Sequence, residues 1–417
     1  MPATPPEGEP VPADGTLPSS AATEAGTAPF GIYVHVPFCQ TRCGYCDFNT
    51  YTAAELGGGS RQDFPTLAIS EIRLARRVLG EAAQRERQAT RERQVRPAAT
   101  VFFGGGTPTV LAPAALGSIL RAIESEFGLA PGAEITTEAN PESVDERTLA
   151  ELRAEGFNRI SFGMQSAVPH VLATLDRAHT PERAGRCVAW ARAAGFERVS
   201  LDLIYGTPGE SAADWRRSLE AALSAGPDHV SAYALIVEDG TRLAARIRRG
   251  ELPAPDDDAM AEEYLAADDM LTAAGLHWYE ISNWAASETA WCRHNLLYWT
   301  GADWWGIGPG AHSHVGGTRW WNVRHPRSYA ARLEQGASPG QAREILTSGE
   351  RRTEQIMLLT RLVTGCPADV LSDKGRAYAQ IAVADGLASP DAWVAGRVVL
   401  TRPGRLLADA VIRGLTG

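Results

Sequence analysis

Three cysteines stand within eight residues, Cys39-Gln-Thr-Arg-Cys43-Gly-Tyr-Cys46, and this C-x3-C-x2-C spacing brings three thiolates to one loop. An iron–sulfur cube has four irons, each of which normally takes one cysteine, so three cysteines leave one iron open. An open metal position can bind and activate a small molecule, the same division that separates open catalytic zinc sites from closed structural ones. Zinc itself fits the spacing poorly. Zinc motifs pair C-x2-C with a second ligand pair at a set distance, whereas Cys187, Cys292 and Cys366 are isolated along the chain. A disulfide framework is also out of place in 417 residues with six scattered cysteines and no signal peptide.

A loop of three ligands needs a rigid support. Beyond residue 28, short β-branched or aromatic runs alternate with helical patterns, the signature of repeated βα units and a parallel sheet. The expected strands are Phe30–Val36, Thr100–Phe103, Glu134–Glu138, Arg159–Phe162, Arg198–Ile204 and His229–Leu235. Between the second and third, Leu116, Ile119, Leu120, Ile123 and Phe127 recur at helical spacing. Six such units predict an α/β fold, a partial barrel over residues 29–283, with right-handed crossovers and functional loops at the C-terminal strand ends. Residues 284–345 form a second region, where seven tryptophans and three histidines crowd between Trp284 and Trp321. Over 346–417 amphipathic helices return. Two short strands there, Arg397–Leu400 and Leu406–Ala408, flank the turn Arg402-Pro-Gly-Arg405 and predict a winged-helix-like C-terminal domain. Residues 1–28, rich in Pro, Ala, Gly, Glu and Thr, predict a disordered tail without the basic and apolar segments of a signal peptide.

Composition narrows the partners. A hydrophobic content of 44% and a charged content of 22% belong to an ordinary globular protein, and no apolar run reaches the length of a membrane span. The net charge of −10 argues against nucleic acid as the main partner, because phosphate binding needs a concentrated basic surface. Lys374 is the only lysine, so Schiff-base and P-loop mechanisms lack their usual residue. The mixed-sign run between Ala82 and Pro97 reads as a solvated helix extension or loop. Thiols that must stay free to hold a cluster predict a reducing, cytoplasmic setting.

Several expected strand ends carry groups able to hold a ligand. Phe102-Phe103-Gly104-Gly105-Gly106-Thr107-Pro108 closes the second strand with a turn that lets backbone approach a ligand closely. Glu138 ends the third strand, Gln165 follows the fourth, and Asp202 interrupts the apolar run Val199–Tyr205. A carboxylate inside such a run is costly unless paired, which predicts that Asp202 bonds a ligand hydroxyl or an arginine. Arg177, in Leu175-Asp-Arg177-Ala-His, can pair a carboxylate bidentately.

From Tyr33-Val-His35-Val-Pro37-Phe-Cys39 through Asp47-Phe48, the chain resembles the radical S-adenosylmethionine (SAM) enzymes of the coproporphyrinogen oxidase-like group. The resemblance implies a 4Fe-4S cluster on Cys39, Cys43 and Cys46 with SAM on its open iron, and the Gly104–Thr107 turn resembles the family's motif beside the methionyl amine. It further implies that Tyr33, Gly105, Gly106, Thr107, Glu138, Gln165, Arg177, Asp202 and Ile236 surround SAM. Such a cofactor carries the radical chemistry while the protein binds and orients it. The oxygen-independent oxidases of this group carry another cysteine two positions beyond the last cluster ligand. Here that position is Phe48. The stretch Trp291-Cys292-Arg293-His294-Asn295-Leu-Leu-Tyr298-Trp299 instead resembles the motif of HemW-type heme chaperones.

That likeness implies heme as a further ligand, recipient hemoproteins as partners, some of them reached by peripheral membrane contact, and a homodimer as one compatible state. Imidazole is a standard axial ligand and flanking aromatics can cover a porphyrin face, so His294, Asn295, Tyr298 and Trp299 are the candidate heme residues. Cys292, His312 and His314 remain alternative ligands. Oxidative decarboxylation of coproporphyrinogen III is the rival activity, and an electron-transfer or oxygen-sensing cluster protein is a third.

Overall fold

A computed structural model describes residues 7–24, 28–56, 61–87, 96–177 and 180–417. In chain order its main strands are β1 (Glu9–Pro10), β2 (Phe30–Val36), β3 (Ala98–Gly105), β4 (Leu129–Ala139), β5 (Arg159–Gln165), β6 (Arg198–Tyr205), β7 (His229–Ala234), β8 (His277–Glu280), β9 (Asn283–Ala285), β10 (Asp303–Ile307), β11 (His312–Val315), β12 (Thr318–Asn322) and β13 (Gly340–Ile345). All thirteen join one sheet in the order β1-β13-β12-β11-β10-β2-β3-β4-β5-β6-β7-β9-β8. The six expected strands are β2 to β7, paired in parallel and in sequence order.

Side chains alternate across a strand with a period of two, and the two faces of these strands differ in kind. Ile32, Val34, Val101, Phe103, Ile160, Phe162, Val199, Leu201 and Leu203 lie in the apolar core with residues of the covering helices Phe64–Arg87, Pro113–Phe127 and Pro181–Ala193. The alternate positions place Tyr33, His35, Thr100, Phe102, Glu134, Thr136, Glu138, Arg159, Ser161, Asp202 and Ser231 on the other face. A buried parallel sheet normally reads as near-continuous apolar runs. The polar second face therefore marks the lumen of an incomplete barrel.

The tryptophan-rich region is continuous with this sheet. Strand β10 pairs in parallel with β2, Trp304 against Gly31 and Ile307 against Val34, and adds a seventh parallel strand. The expected boundary at 284 falls inside the β8–β9 hairpin, which pairs with β7. Beyond it, β11, β12 and β13 extend the sheet antiparallel.

Two expectations are corrected. The segment expected to be a disordered tail contributes β1, which pairs with the edge strand β13, and the helix Ser19–Glu24; Leu17 and Ala21 are buried in the main core. An edge strand offers unpaired backbone groups, and Glu9 also meets Arg343 at 2.6 Å, so few apolar residues suffice to dock the segment. The terminal hairpin is absent. Residues Arg402–Leu406 and Ala408–Thr416 are helices, because the Thr401 hydroxyl accepts the Gly404 N–H and Val411, Ile412 and Leu415 form a helical stripe. Of the first expected strand, Arg397–Val398 pairs with Cys366–Pro367 and Leu400 bridges Ala388, and the C-terminal unit packs its own core of Ile356, Leu371, Val398, Val411 and Leu415. Of the mixed-sign run, residues up to Arg87 continue the helix and 88–95 lie outside the described residues.

Candidate functional site

The cysteine loop leaves the C-terminal end of β2 and is pinned on three sides. Cys39 N–H bonds Tyr51 O at 3.1 Å, Gly44 N–H bonds Leu175 O at 3.1 Å, and Leu243 N–H bonds Gly44 O at 2.9 Å. Cys39 is buried, while Cys43 and Cys46 are partly exposed. Burial raises the Cys39 thiol, and burial with the neighbouring Cys43 and Cys39 pushes Cys46 up to about 11. Thr107 Oγ1 approaches Cys39 Sγ at 3.9 Å and Arg177 Nη1 approaches Cys43 Sγ at 3.4 Å, so a hydroxyl and a guanidinium already face the sulfurs. Among the described residues, no three His, Cys, Asp or Glu side chains converge on a point that would hold a single metal ion. A cube asks for something different, since its cysteines bind separate irons. The partly exposed loop with donors on its sulfurs fits that group.

The glycine turn is built to pass close to this loop. Gly106 N–H bonds Val36 O at 2.8 Å and Thr107 N–H bonds Phe38 O at 2.8 Å. A Cβ on Gly106 would stand 2.6 Å from the Phe38 carbonyl oxygen, and Gly105 has φ +105° with the His35 ring 2.5 Å from where its Cβ would be. Only glycine fits both positions.

Below the turn lies a pair of buried carboxyls. Glu138 accepts the Gly105 N–H at 3.2 Å; burial first, and then the Asp202 charge, push it up to about 8. Asp202 accepts the Ser161 hydroxyl at 2.8 Å, and burial raises it against the opposing pull of Ser161, Ser231, Arg159 and Arg177. Two carboxyls held this way are suited to a ligand carrying an amine and hydroxyls, which would repay their desolvation. Arg177 donates from Nη2 to Gly163 O at 2.6 Å, while its buried Nε has no partner. Gln165 sits at φ 63°, an uncommon conformation for a non-glycine residue and one that gathers at functional sites. Tyr33 shares a 3.0 Å hydrogen bond with His35 Nδ1, and His35 Nε2 meets Asn49 O at 2.9 Å. Ile236, just beyond β7, is exposed. The structure thus gathers the polar strand-end residues around one lumen mouth beside the three cysteines.

The candidate heme residues lie elsewhere, on a helix (Arg293–Trp299) packed under the N-terminal strand ends. His294 is 1% exposed. Its Nδ1 shares a 2.7 Å bond with Thr100 Oγ1, its Nε2 a 2.8 Å bond with Tyr298 OH, and its ring stacks on Phe102 with centroids 5.2 Å apart. Burial drives its imidazole down to about 3. Glu134 caps the same helix by accepting the N–H groups of Arg293 at 3.1 Å and His294 at 3.0 Å. Asn295 and Trp299, on the same helix, are half-buried. An axial ligand needs a free ring nitrogen, and in this arrangement both nitrogens of His294 are hydrogen-bonded. Cys292 is buried and pushed up to about 12, chiefly by burial, which keeps it a thiol, and His314 Nδ1 is engaged with Ala302 O at 3.0 Å. This helix is the floor of the lumen.

Sequence reasoning missed the partners that make these groups tolerable. Ser161, Ser231 and Arg159 support Asp202, Glu134 caps the floor helix, and His35 ties Tyr33 to the cysteine loop. The signal was present in part, since each occupies the polar phase of an alternating strand.

The family model described as the radical SAM superfamily matches residues 33–222. The protein named heme chaperone HemW in Mycobacterium tuberculosis is 51% identical over 389 residues, covering 93% of this chain and 95% of that one. The chain belongs to the HemW family. A protein of the same name in Synechocystis is 37% identical over 342 residues, covering 81% of this chain and 79% of its own. The solved structure of coproporphyrinogen III oxidase (HemN) from Escherichia coli, described as a radical SAM enzyme, superimposes with a TM-score of 0.78 over 95% of this chain and 92% of that one. Its sequence identity is 21%, so this likeness shows the fold alone.

Proposed function

We propose that the chain is a heme chaperone that holds a 4Fe-4S cluster and SAM, binds heme and passes it to recipient hemoproteins. The observation that carries this reading is the 51% identity, over nearly the whole of both chains, to a protein named for that activity. Cys39, Cys43 and Cys46 would hold three irons of the cluster, and SAM would occupy the fourth. Gly105, Gly106 and Thr107 let its methionyl end approach, Glu138 takes the amine, and Asp202 takes a hydroxyl. Arg177, Gln165, Tyr33 and Ile236 complete its surroundings. When bound, such a cluster supplies one electron to the sulfonium of SAM. The chain's own part is positional: buried carboxyls select a cationic, hydroxylated ligand, and the His294 floor closes the lumen behind it.

Coproporphyrinogen oxidation is disfavoured by Phe48, which stands where the resembling oxidases have a further cysteine. Anaerobic reconstitution followed by iron counting, SAM titration and heme titration tests the proposal. Four irons per chain, saturable SAM binding and stoichiometric heme are expected, with iron lost on Cys43→Ala. Failure of heme to bind in both cluster-loaded and cluster-free protein would overturn the chaperone reading. Protoporphyrinogen formed from coproporphyrinogen would replace it with the oxidase.

A further inference from the structure

Tyr33 and His35 stand two residues apart on β2, in the phase that faces the lumen. Their hydrogen bonds run in one direction. His35 Nε2 meets the backbone oxygen of Asn49 at 2.9 Å, and a carbonyl oxygen only accepts, so Nε2 carries the proton. Burial holds the imidazole down at about 4, so at neutral pH the ring has a single proton and Nδ1 is a bare acceptor. The 3.0 Å bond between Nδ1 and the Tyr33 hydroxyl is then donated by Tyr33. A phenol has one proton to give. With that proton committed to His35, the Tyr33 oxygen has only lone pairs left to offer the lumen, into which the residue stays partly exposed.

The line starts from a fixed point. Asn49, three residues past Cys46, donates from Nδ2 to Pro309 O at 3.0 Å and to Arg324 O at 2.8 Å, and its Oδ1 accepts the Tyr51 hydroxyl at 3.1 Å. The turn carrying Pro309 is anchored as well: Gly308 N–H donates to the buried Glu71 at 2.8 Å, and Asn322 Nδ2 donates to Glu71 at 2.7 Å and to Gly308 O at 2.9 Å. We propose that His35 is a positioning residue which, seated on Asn49, makes the Tyr33 oxygen an acceptor-only contact, so that the lumen takes a ligand's N–H or O–H donor there and rejects a carboxylate or carbonyl. This role rests on the reading of the lumen as the SAM site, and SAM carries an ammonium, ribose hydroxyls and an adenine amine that such an oxygen accepts. A free phenol could turn its proton toward an anion, and the bond to His35 removes that choice. Asn49 belongs to the segment leaving the cysteine loop, so one residue ties the cluster ligands to the wall that the ligand meets.

Two measurements test it. Histidine-selective nitrogen labelling of the full-length, ligand-free protein reads the tautomer by NMR from the shifts of the ring nitrogens, with the His35 signals assigned by their loss in His35→Asn. A protonated Nε2 and a bare Nδ1 at neutral pH are expected, and a protonated Nδ1 would overturn the proposal. SAM titration of the reconstituted protein then closes a double-mutant cycle. Tyr33→Phe, which deletes the acceptor, and His35→Phe, which frees the phenol, should each weaken SAM about tenfold. The double variant should be about as weak as either single one, because His35 acts through Tyr33. His35→Asn, which keeps an oxygen acceptor near the place of Nδ1, should recover most of the affinity, and it carries the comparison where His35→Phe does not take up iron. Losses that multiply to about a hundredfold in the double variant would show that His35 acts independently and overturn the proposal, as would a Tyr33→Phe variant that binds SAM like wild type. If wild type binds no SAM, the cofactor reading falls, and the tautomer measurement still decides the direction of the hydrogen bonds.

Discussion

Replacing His294 with alanine distinguishes a structural floor from a ligand site. The ring is almost fully enclosed, bonded to Thr100 at 2.7 Å and Tyr298 at 2.8 Å, and stacked on Phe102. Truncation leaves the buried Thr100 hydroxyl and the half-buried Tyr298 hydroxyl without partners, at about 1–3 kcal/mol each. It also removes a ring stack worth about 0.5–1.5 kcal/mol. Relaxation and an entering water offset part of this, so a net destabilisation of about 3 kcal/mol is expected. The assay is urea denaturation of the cluster-free protein, followed by SAM and heme titration of the reconstituted protein. The midpoint should fall and SAM binding should weaken, because the His294 ring lies 6.3 Å from the ring of Tyr33. Heme affinity should stay within about threefold, and His294→Gln, which retains one hydrogen bond, should recover part of the stability. An alanine variant as stable as wild type that has lost heme binding would refute the floor assignment.

Other perturbations probe the remaining supports. Gly106→Ala would place a methyl 2.6 Å from the Phe38 carbonyl and 2.9 Å from that of Val36, both backbone atoms; iron incorporation should drop sharply, and full cluster loading would contradict the close approach. Burial and Asp202 hold Glu138 near about 8, so the stability tied to its neutral form is complete below the ordinary carboxylate range and is lost as pH rises through about 8. Ligand-free Glu138→Gln, always neutral, should therefore gain on wild type in melting temperature from pH ~5 to ~8, and parallel curves would sink the argument. Arg405 pairs Asp268 at 3.0 and 2.9 Å and lies 4.6 Å over the Trp278 ring, joining the C-terminal unit to the barrel. Arg405→Ala should cost about 3 kcal/mol and speed proteolysis around residue 350; an unchanged digestion pattern would show that the joint lies elsewhere.

What could be read from the chain follows the range of each physical signal. The βα repeat was legible because strand and helix periods repeat within a few residues; all six expected strands form as β2 to β7, though β4 starts five residues earlier, at Leu129, and β5 runs on to Gln165. Asp202 was legible because a carboxyl in an apolar run needs a reason, and Glu138 because it ends a strand where ligand-holding groups gather. The docked segment around Leu17 and the helices after Thr401 were not, since short stretches of mixed composition take their structure from the surface they meet. The surroundings of His294 were not legible for the same cause: its neighbours in sequence are aromatics, and its neighbours in space are Thr100, Phe102 and Glu134.

By itself the sequence determined the three-cysteine loop, the parallel βα frame and the family, because ligand spacing and hydrophobic period are local properties of the chain. Tertiary structure alone decided that β10 pairs with β2, that the His-Asn-x-x-Tyr-Trp helix is a floor, and that Phe48, Tyr51, Arg324 and His325 share one hollow. These are contacts between residues as much as 275 positions apart, as between Asn49 and Arg324. Such contacts arise only when the assembled sheet brings distant loops to the same end, and no local pattern records which loops those will be.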